Sequence, residues 1–582
     1  MYSKNIFSFL IFGLLALTEI NGYIINNYTG KCNDIYVYLE DLGKRENFYG
    51  CKMNDEGEVT ELELYTYCLE DEQLTNLLSY DTIETLNFVR LFIDWSIDDT
   101  NIDNVISRFG CAYLPTNYEA LSTLTNLKIL NLSGVKNLDN NIIANIPKSV
   151  EQLMINKLAF TQEMIDELSE LTNLNKLILS ETQISEELDF SKFENLKNLT
   201  SLEIRNNDGS NLSSPPIYIQ GNIFKHCVTL KKLLIKSGIF DKNSLDGIGY
   251  LTELEELELQ TASFNSDADF SSLKNLKNLT AMYMDCSDSP YSISPNFFYL
   301  TKLKELSLTE CVTTFSTSLN NSLTWANLNN LEYLSVVFGG QTTFDIKFIG
   351  DIPSLKEVHL LYNGYTSIPE SIGNLKNLEI FEASLNSFNS LPKSIGNLEK
   401  LKKLDLNFNK LQSLPDEIGN LKNLEDLNLS FNEITSIPST LGNLENLVTL
   451  DLSNNLIDDF LPESLNNLPK LSEVLLGNNI NIKGKTLSNP NLNFCRYSPS
   501  KEGNTYSLCE APNASCKDFL ESFPQCEVNN ESFNDVEPSD DIEPSDDIEP
   551  SDDIEPSDNV EPSDDTELFD YNEIFDYIKS SF

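Results

Sequence analysis

The residues able to do chemistry are few and poorly placed for catalysis. The 582-residue chain has only two histidines, His226 and His359. His226 adjoins Cys227, but side chains adjacent in sequence rarely orient each other as base and nucleophile. No GxSxG or HExxH occurs. Gly484-Lys485-Thr486 has the ending of a phosphate loop, yet six residues separate it from Gly477 where the motif needs four. The pairs Asp98-Asp99 and Asp458-Asp459 have the residue type of glycosidase carboxylates. A chain with 90 Asp and Glu produces such pairs by abundance. These observations point away from an enzyme and call for no cofactor and no metal.

Charge narrows the partners. Forty Lys and Arg against those 90 acids leave −50, which disfavours nucleic acid and anionic membrane surfaces by repulsion. The first residues read as a secretory signal peptide over 1–22: Lys4, an apolar run from Ile6 to Leu17, then small or polar residues to Gly22. That run is too short to span a membrane comfortably, and no later segment is apolar enough to do so.

Secretion changes the reading of 11 cysteines. Cys32, Cys51, Cys68 and Cys111 cluster near the start, and Cys495, Cys509, Cys516 and Cys526 near the end. Even clusters in an oxidising compartment are disulfide candidates, with pairing left open. Cys227, Cys286 and Cys311 lie between, and the odd total leaves at least one thiol unpaired or bonded to a partner. The spacings lack the CxxC pairs of a zinc site. Secretory sequons stand at Asn27, Asn131, Asn198, Asn211, Asn278, Asn320, Asn428, Asn513 and Asn530.

Self-similarity sets the architecture. Leu378, Leu401, Leu424 and Leu447 each begin a six-residue stretch, 23 residues apart, followed by Asn386, Asn409, Asn432 and Asn455. This LxxLxLxxN pattern resembles the leucine-rich-repeat superfamily. The connecting Leu414-Pro-Asp-Glu-Ile-Gly-Asn-Leu-Lys-Asn-Leu424 is similar to the LPxxIGxLxxL of plant-type and Ras-suppressor-like repeats. Weaker copies begin at Leu127, Val150, Leu174, Leu199, Leu230, Leu254, Leu279, Leu303, Leu331, Leu355 and Leu471, with two more expected at Val59 and Ile83. The longer steps to Leu230 and Leu331 predict bulging loops. Asp189–Thr200 nearly repeats as Asp269–Thr280, which indicates duplication of a three-repeat block.

The resemblance implies an α/β solenoid: a horseshoe with a parallel, concave β-sheet. Alternating leucines bury one face, and stacked neighbours share one core. The turn asparagine satisfies backbone groups that burial would otherwise orphan. Val135, Thr182, Gly238, Ala262 and Cys311 replace it, so that half is expected to be less regular. The open ends need caps. Cys51–Leu64 resembles the Cys-rich N-terminal cap of extracellular plant-type repeats, without its Trp and paired cysteines. The expected organisation is signal peptide 1–22, N-terminal cap and irregular repeats 23–126, solenoid 127–494, Cys-containing cap 495–534 and acidic tail 535–582.

The tail repeats Val-Glu-Pro-Ser-Asp-Asp from Val536 to Asp565, with 19 acids and one lysine, Lys579, from residue 535 onward. Its prolines and like charges predict a disordered, extended spacer. Leu568, Tyr571, Ile574, Phe575 and Ile578 fall at helical spacing, so 568–578 is a candidate partner-docking segment.

The function expected is a secreted or surface-displayed, non-catalytic module binding a protein or glycan on its concave face. The candidate contact residues are Tyr283, Asp285, Tyr333, His359, Lys403, Asp405 and Asp426, flanked by Phe408 and Phe431. The alternatives are a matrix or cell-surface component tethered by its acidic tail, and an inhibitor of an extracellular hydrolase. Oligomeric state is left open.

Overall fold

The structure, a computed structural model, describes residues 28–511 and 514, other than 67, 90–114, 136–139, 157–159, 181–187, 206–216, 220, 266–267, 269, 288–297, 312–323, 339–344, 480, 498–500, 503–504 and 507. The leader, Cys111, Cys516, Cys526, the sequons at Asn27, Asn211, Asn320, Asn513 and Asn530, the insertions before Leu230 and Leu331, and the tail with segment 568–578 lie outside the described residues. The described residues fall within one unit, Met1–Cys526.

One 19-stranded sheet organises that unit. It begins with Phe48–Met53 antiparallel to Val59–Leu64, and continues in parallel through each repeat to Phe494–Tyr497. In the fifteen repeats from Leu127 to Leu471 the strand opens two residues after the first leucine, as in Ile129–Asn131, Glu256–Gln260 and Asp426–Asn428. Register is in phase: Leu404, Leu427, Leu450 and Val474 align across four strands, and all are fully buried. Each strand therefore lends one face to a continuous core and leaves the other open.

The sheet runs past residue 494. Phe494–Tyr497 pairs with Glu473–Leu476, and Cys495 aligns with Val474 in the inward row. The leucine pattern hides this strand, because Cys495 and Tyr497 take the buried places that leucines hold elsewhere. Gly484–Lys485 is also a strand, parallel to Leu508–Cys509, and not a phosphate loop.

Returning segments differ along the chain. The strongest repeats use five-residue 3-10 helices, Lys393–Asn397, Asp416–Asn420 and Ser439–Asn443, in place of the α-helices expected of an α/β solenoid. Pro392, Pro415 and Pro438 precede them with φ of −71°, −72° and −66°, values the ring already imposes. Short α-helices appear earlier, as in Gln162–Leu168 and Lys242–Ile248. The weaker half mixes α- and 3-10 returns, and its strands are mostly five residues long against three in the strong repeats.

Among the described residues three devices satisfy turns that follow the strands. In the strong repeats it is an asparagine ladder. Asn432 Nδ2 donates to Leu406 O at 2.9 Å and Leu429 O at 3.1 Å, while its Oδ1 accepts from Leu411 N at 2.9 Å. Asn386, Asn409, Asn455 and Asn479 repeat this arrangement, and all are buried. Where Gly238 and Ala262 replace asparagine, a small parallel sheet of Ile217–Tyr218, Gly238–Phe240 and Ser263–Phe264 supplies backbone partners instead. Where Cys311 replaces it, a disulfide to Cys286 of the preceding repeat joins the two turns.

That central disulfide was not among the candidates drawn from the outer clusters. Cys32 and Cys51 do pair, tying helix Gly30–Asp41 to the first strand. Cys68, Cys495 and Cys509 are also disulfide-bonded. Among the described residues Cys227 is free and buried, its thiol pushed up to about 12 by burial. It is therefore inert, and adjacent His226 instead faces Glu194 at 2.9 Å.

Candidate binding face

The open sheet face presents two side-chain rows, from the first and third residues of each strand. Parallel register places Tyr333 beside Glu357, and Ser335, His359, Glu382, Asp405, Asn428 and Asp451 in one line. Lys403 and Asp426 are neighbours in the other. Sequence alternation alone therefore builds a patch from residues some 23 apart.

Its centre is Glu382. One oxygen lies 2.7 Å from His359 Nδ1, and the other accepts from Lys403 Nζ at 2.6 Å. His359 Nε2 lies 3.9 Å from Glu357, and the imidazole packs on Tyr333 with ring centroids 5.2 Å apart. Tyr283 adds its phenol to Glu305, which is itself in register with Tyr333. Three of the candidate residues are thus joined through Glu382: Tyr333, His359 and Lys403. Asp405 stands beside Glu382 in the same row and accepts from Asn428 Nδ2 at 3.4 Å. Asp285 is on the same face as Tyr283 and accepts from Ser287 N of its own repeat at 3.0 Å.

Burial and pairing compete across this face. Burial raises the Glu382 pKa, but the hydrogen bonds from His359 and Lys403 outweigh it and hold the carboxyl at about 2. Burial likewise opposes the His359 imidazolium, and Glu357 and Glu382 together still raise its pKa. Asp405 has the opposite balance: burial, with Glu382 adding to it, pushes the carboxyl up to about 6 despite the Asn407 N–H. Burial also raises Asp426. Its carboxylate makes no hydrogen bond or ion pair among the described residues.

Ser335, His359 and Glu382 have the residue types of a nucleophile, base and acid, but they do not form such a chain. The Ser335 hydroxyl bonds the Tyr333 phenol and is 6% exposed, and His359 Nε2 faces Glu357. Both imidazole nitrogens of His359 thus face carboxylates and neither faces the Ser335 hydroxyl.

A second feature borders the rows. One non-glycine residue per repeat has positive φ: Phe338 (53°), Tyr362 (54°), Leu385 (57°), Phe408 (50°) and Phe431 (53°) follow one another. Bulky residues seldom adopt this conformation. Their backbone N–H groups continue the inter-repeat ladder, as in Phe408 N to Ser430 O at 3.0 Å and Phe431 N to Ser453 O at 2.9 Å. Phe408 and Phe431 stack at 4.1 Å and 8°, and Phe338 lies 4.9 Å from Tyr362. Tyr362 is 46% exposed. Sequence reading found Phe408 and Phe431 but missed Phe338, Tyr362, Leu385, Glu357 and Glu382. Their signal is positional: they occupy the third, fifth or eighth place of a repeat.

Of the described sequons, Asn131 and Asn428 are on the open face. Asn428 Oδ1 accepts from the Ser430 hydroxyl at 2.8 Å. Asn198 and Asn278 donate to Thr172 O and Thr252 O of the repeat before. Among the described residues no helix is long and apolar enough to cross a membrane.

A family model described as leucine-rich repeat region matches residues 338–474. No curated protein matches the chain. Among solved structures, the chain is similar to a leucine-rich-repeat protein of Leptospira interrogans, with 25% identity, TM-score 0.47, and 62% of this chain and 91% of that one covered. It is also similar to the leucine-rich-repeat ectodomain of the Arabidopsis thaliana receptor kinase GASSHO1/SCHENGEN3, solved with Casparian strip integrity factor 2. That match has 18% identity, TM-score 0.46, and covers 80% of this chain and 60% of the other. The plant peptide hormone receptor RGFR1, solved with RGF2, matches at 21% identity and TM-score 0.42, covering 80% and 76%.

Proposed function

We propose that this leucine-rich-repeat solenoid is a non-catalytic recognition module, secreted or displayed outside the cell, that binds a protein on its open sheet face. The observation that carries the reading is the joined set Tyr333, His359, Glu382 and Lys403. These side chains are fixed by one another across four strands, yet belong to a face that no other element of the described residues pairs with. Preorganised polar groups beside aromatic ones lower the entropy cost of binding. Disulfides such as Cys32–Cys51 and Cys286–Cys311 support an oxidising compartment.

The test is capture from the protein's native surroundings with three full-length baits: wild type, Tyr333→Ala/His359→Ala, and a chain lacking 535–582. A partner retained without the tail and lost by the double variant supports the reading. A partner lost only with the tail would overturn it in favour of a tail-tethered surface component.

A further inference from the structure

We propose that the stripe Phe338, Tyr362, Leu385, Phe408 and Phe431, with the carboxylate rows beside it, receives an extended polypeptide segment rich in lysine or arginine and interspersed with apolar residues. This deepens the recognition reading above by naming the class of partner, and it rests on that reading.

The stripe is a continuous apolar border on an open sheet face. It occupies one position in five successive repeats, linked by the same inter-repeat backbone bonds as the strands. At ~4.8 Å per repeat its four steps span about 19 Å, the reach of about six residues of extended chain. Apolar side chains of such a segment would meet the stripe, while its charged ones would meet the rows three and five residues earlier in each repeat.

Charge selects the occupant. From Glu357 to Glu473 the two rows carry Glu357, Glu382, Asp405, Asp426, Asp451 and Glu473 against His359 and Lys403. Both cations are spent on Glu382. Lysines at the strand entrances are spent as well: Lys356 pairs Glu332 at 2.7 Å, and Lys402 pairs Glu379 at 2.8 Å. Asp426 and Glu473 have no ion pair or hydrogen bond from their carboxylates among the described residues. The face thus offers an excess of negative charge next to apolar surface, with six carboxylates against two cationic side chains, and complementarity favours a cation.

Other occupants fit worse. The chain's own tail carries 19 acids and one lysine, and the remainder of a second copy carries −32, both of the wrong sign. A glycan stacks on free ring faces, whereas Phe408 and Phe431 cover one face of each other. Lysine and arginine reverse the charge objection, and arginine pairs carboxylates in a bidentate fork.

The experiment titrates the full chain with a fluorescently labelled twelve-residue peptide alternating arginine and leucine, and with the same peptide carrying glutamate for arginine. Anisotropy is measured for wild type, Phe408→Ser/Phe431→Ser, Asp405→Asn/Asp426→Asn, and the single exposed change Tyr362→Ser. Circular dichroism checks folding, and Tyr362→Ser keeps the test valid if a double variant misfolds. The arginine peptide should bind wild type, the glutamate peptide should not, and each folded double variant should weaken binding about tenfold or more. Tyr362→Ser should weaken it measurably. Equal affinity for all folded variants, as binding to the acidic tail would give, overturns the proposal. So does a preference for the glutamate peptide. If the peptide fails while native capture still depends on Tyr333 and His359, recognition stands and only the partner's charge class is wrong.

Discussion

His359 Nδ1 and Glu382 Oε2 meet at 2.7 Å across adjacent strands, and this contact fixes the sign of the pH response. Glu382 has its pKa depressed from 4.5 to about 2, so its stabilisation is present above pH 4.5 and is lost as pH falls toward 2. His359 has its pKa raised above 6.5, so its stabilisation is complete below pH 6.5 and is lost as pH rises through the folded value. The pair contributes most between about pH 4.5 and 6.5. His359→Gln should lower the melting temperature at pH 5.5 and have a smaller effect at pH 9. An equal loss at both values would contradict the ion pair.

Asp405 has the opposite linkage. Its pKa is raised from 3.8 to about 6, so the folded state is favoured below pH 3.8 and penalised as pH rises through 6. Asp405→Asn should therefore raise the melting temperature at pH 7.5 relative to wild type and change it little at pH 4. Differential scanning calorimetry at the two pH values decides the matter. A stability kept at this cost is what a binding residue, held ready for a cation, would show.

The asparagine ladder makes a steeper prediction. Asn432→Ala removes a donor to Leu406 O and Leu429 O and strands the buried Leu411 N–H. Unpaired buried groups of this kind should cost about 2–4 kcal/mol in urea unfolding. Ser436→Ala, exposed four residues further on in the same repeat, should cost much less. Equal losses would mean that the ladder does not hold the turns.

Close packing of the returning segments is tested by glycine. A Cβ on Gly419 would stand 2.4 Å from Thr440 O of the next repeat, and one on Gly396 would stand 2.3 Å from Glu417 O. Gly419→Ala should destabilise by about 1–3 kcal/mol, as overpacking does. Gly57→Ala, at φ +81° with open space around it, would lose stability only through backbone strain. Denaturant midpoints separate the two.

Legibility followed period and residue type. Leu404, Leu427 and Leu450 announce the core because only a 23-residue period places them in one row. Cys495 and Tyr497 do the same work without the leucine signature, so the last strand was invisible. Cys286 and Cys311 stand 25 residues apart, one repeat, yet their pairing emerges only once the two turns are stacked. On the open face, His359 stands out because the chain has only two histidines, whereas Glu357 and Glu382 are lost among 90 acids. The stripe of positive φ was unreadable, since Phe338, Tyr362 and Leu385 do not advertise a left-handed backbone.

The most direct test of face-directed recognition places a photoreactive residue on each side of the solenoid. Thr449 lies in the open row beside Asp426, and Glu399 is on the opposite, returning side with its side chain 78% exposed. Full-length chains carrying the probe at either site are irradiated in the protein's native surroundings, and adducts are identified by mass spectrometry. The account predicts one protein adduct at Thr449, with a basic segment at the cross-link, and none at Glu399. The same adduct at both sites, or only at Glu399, would contradict it.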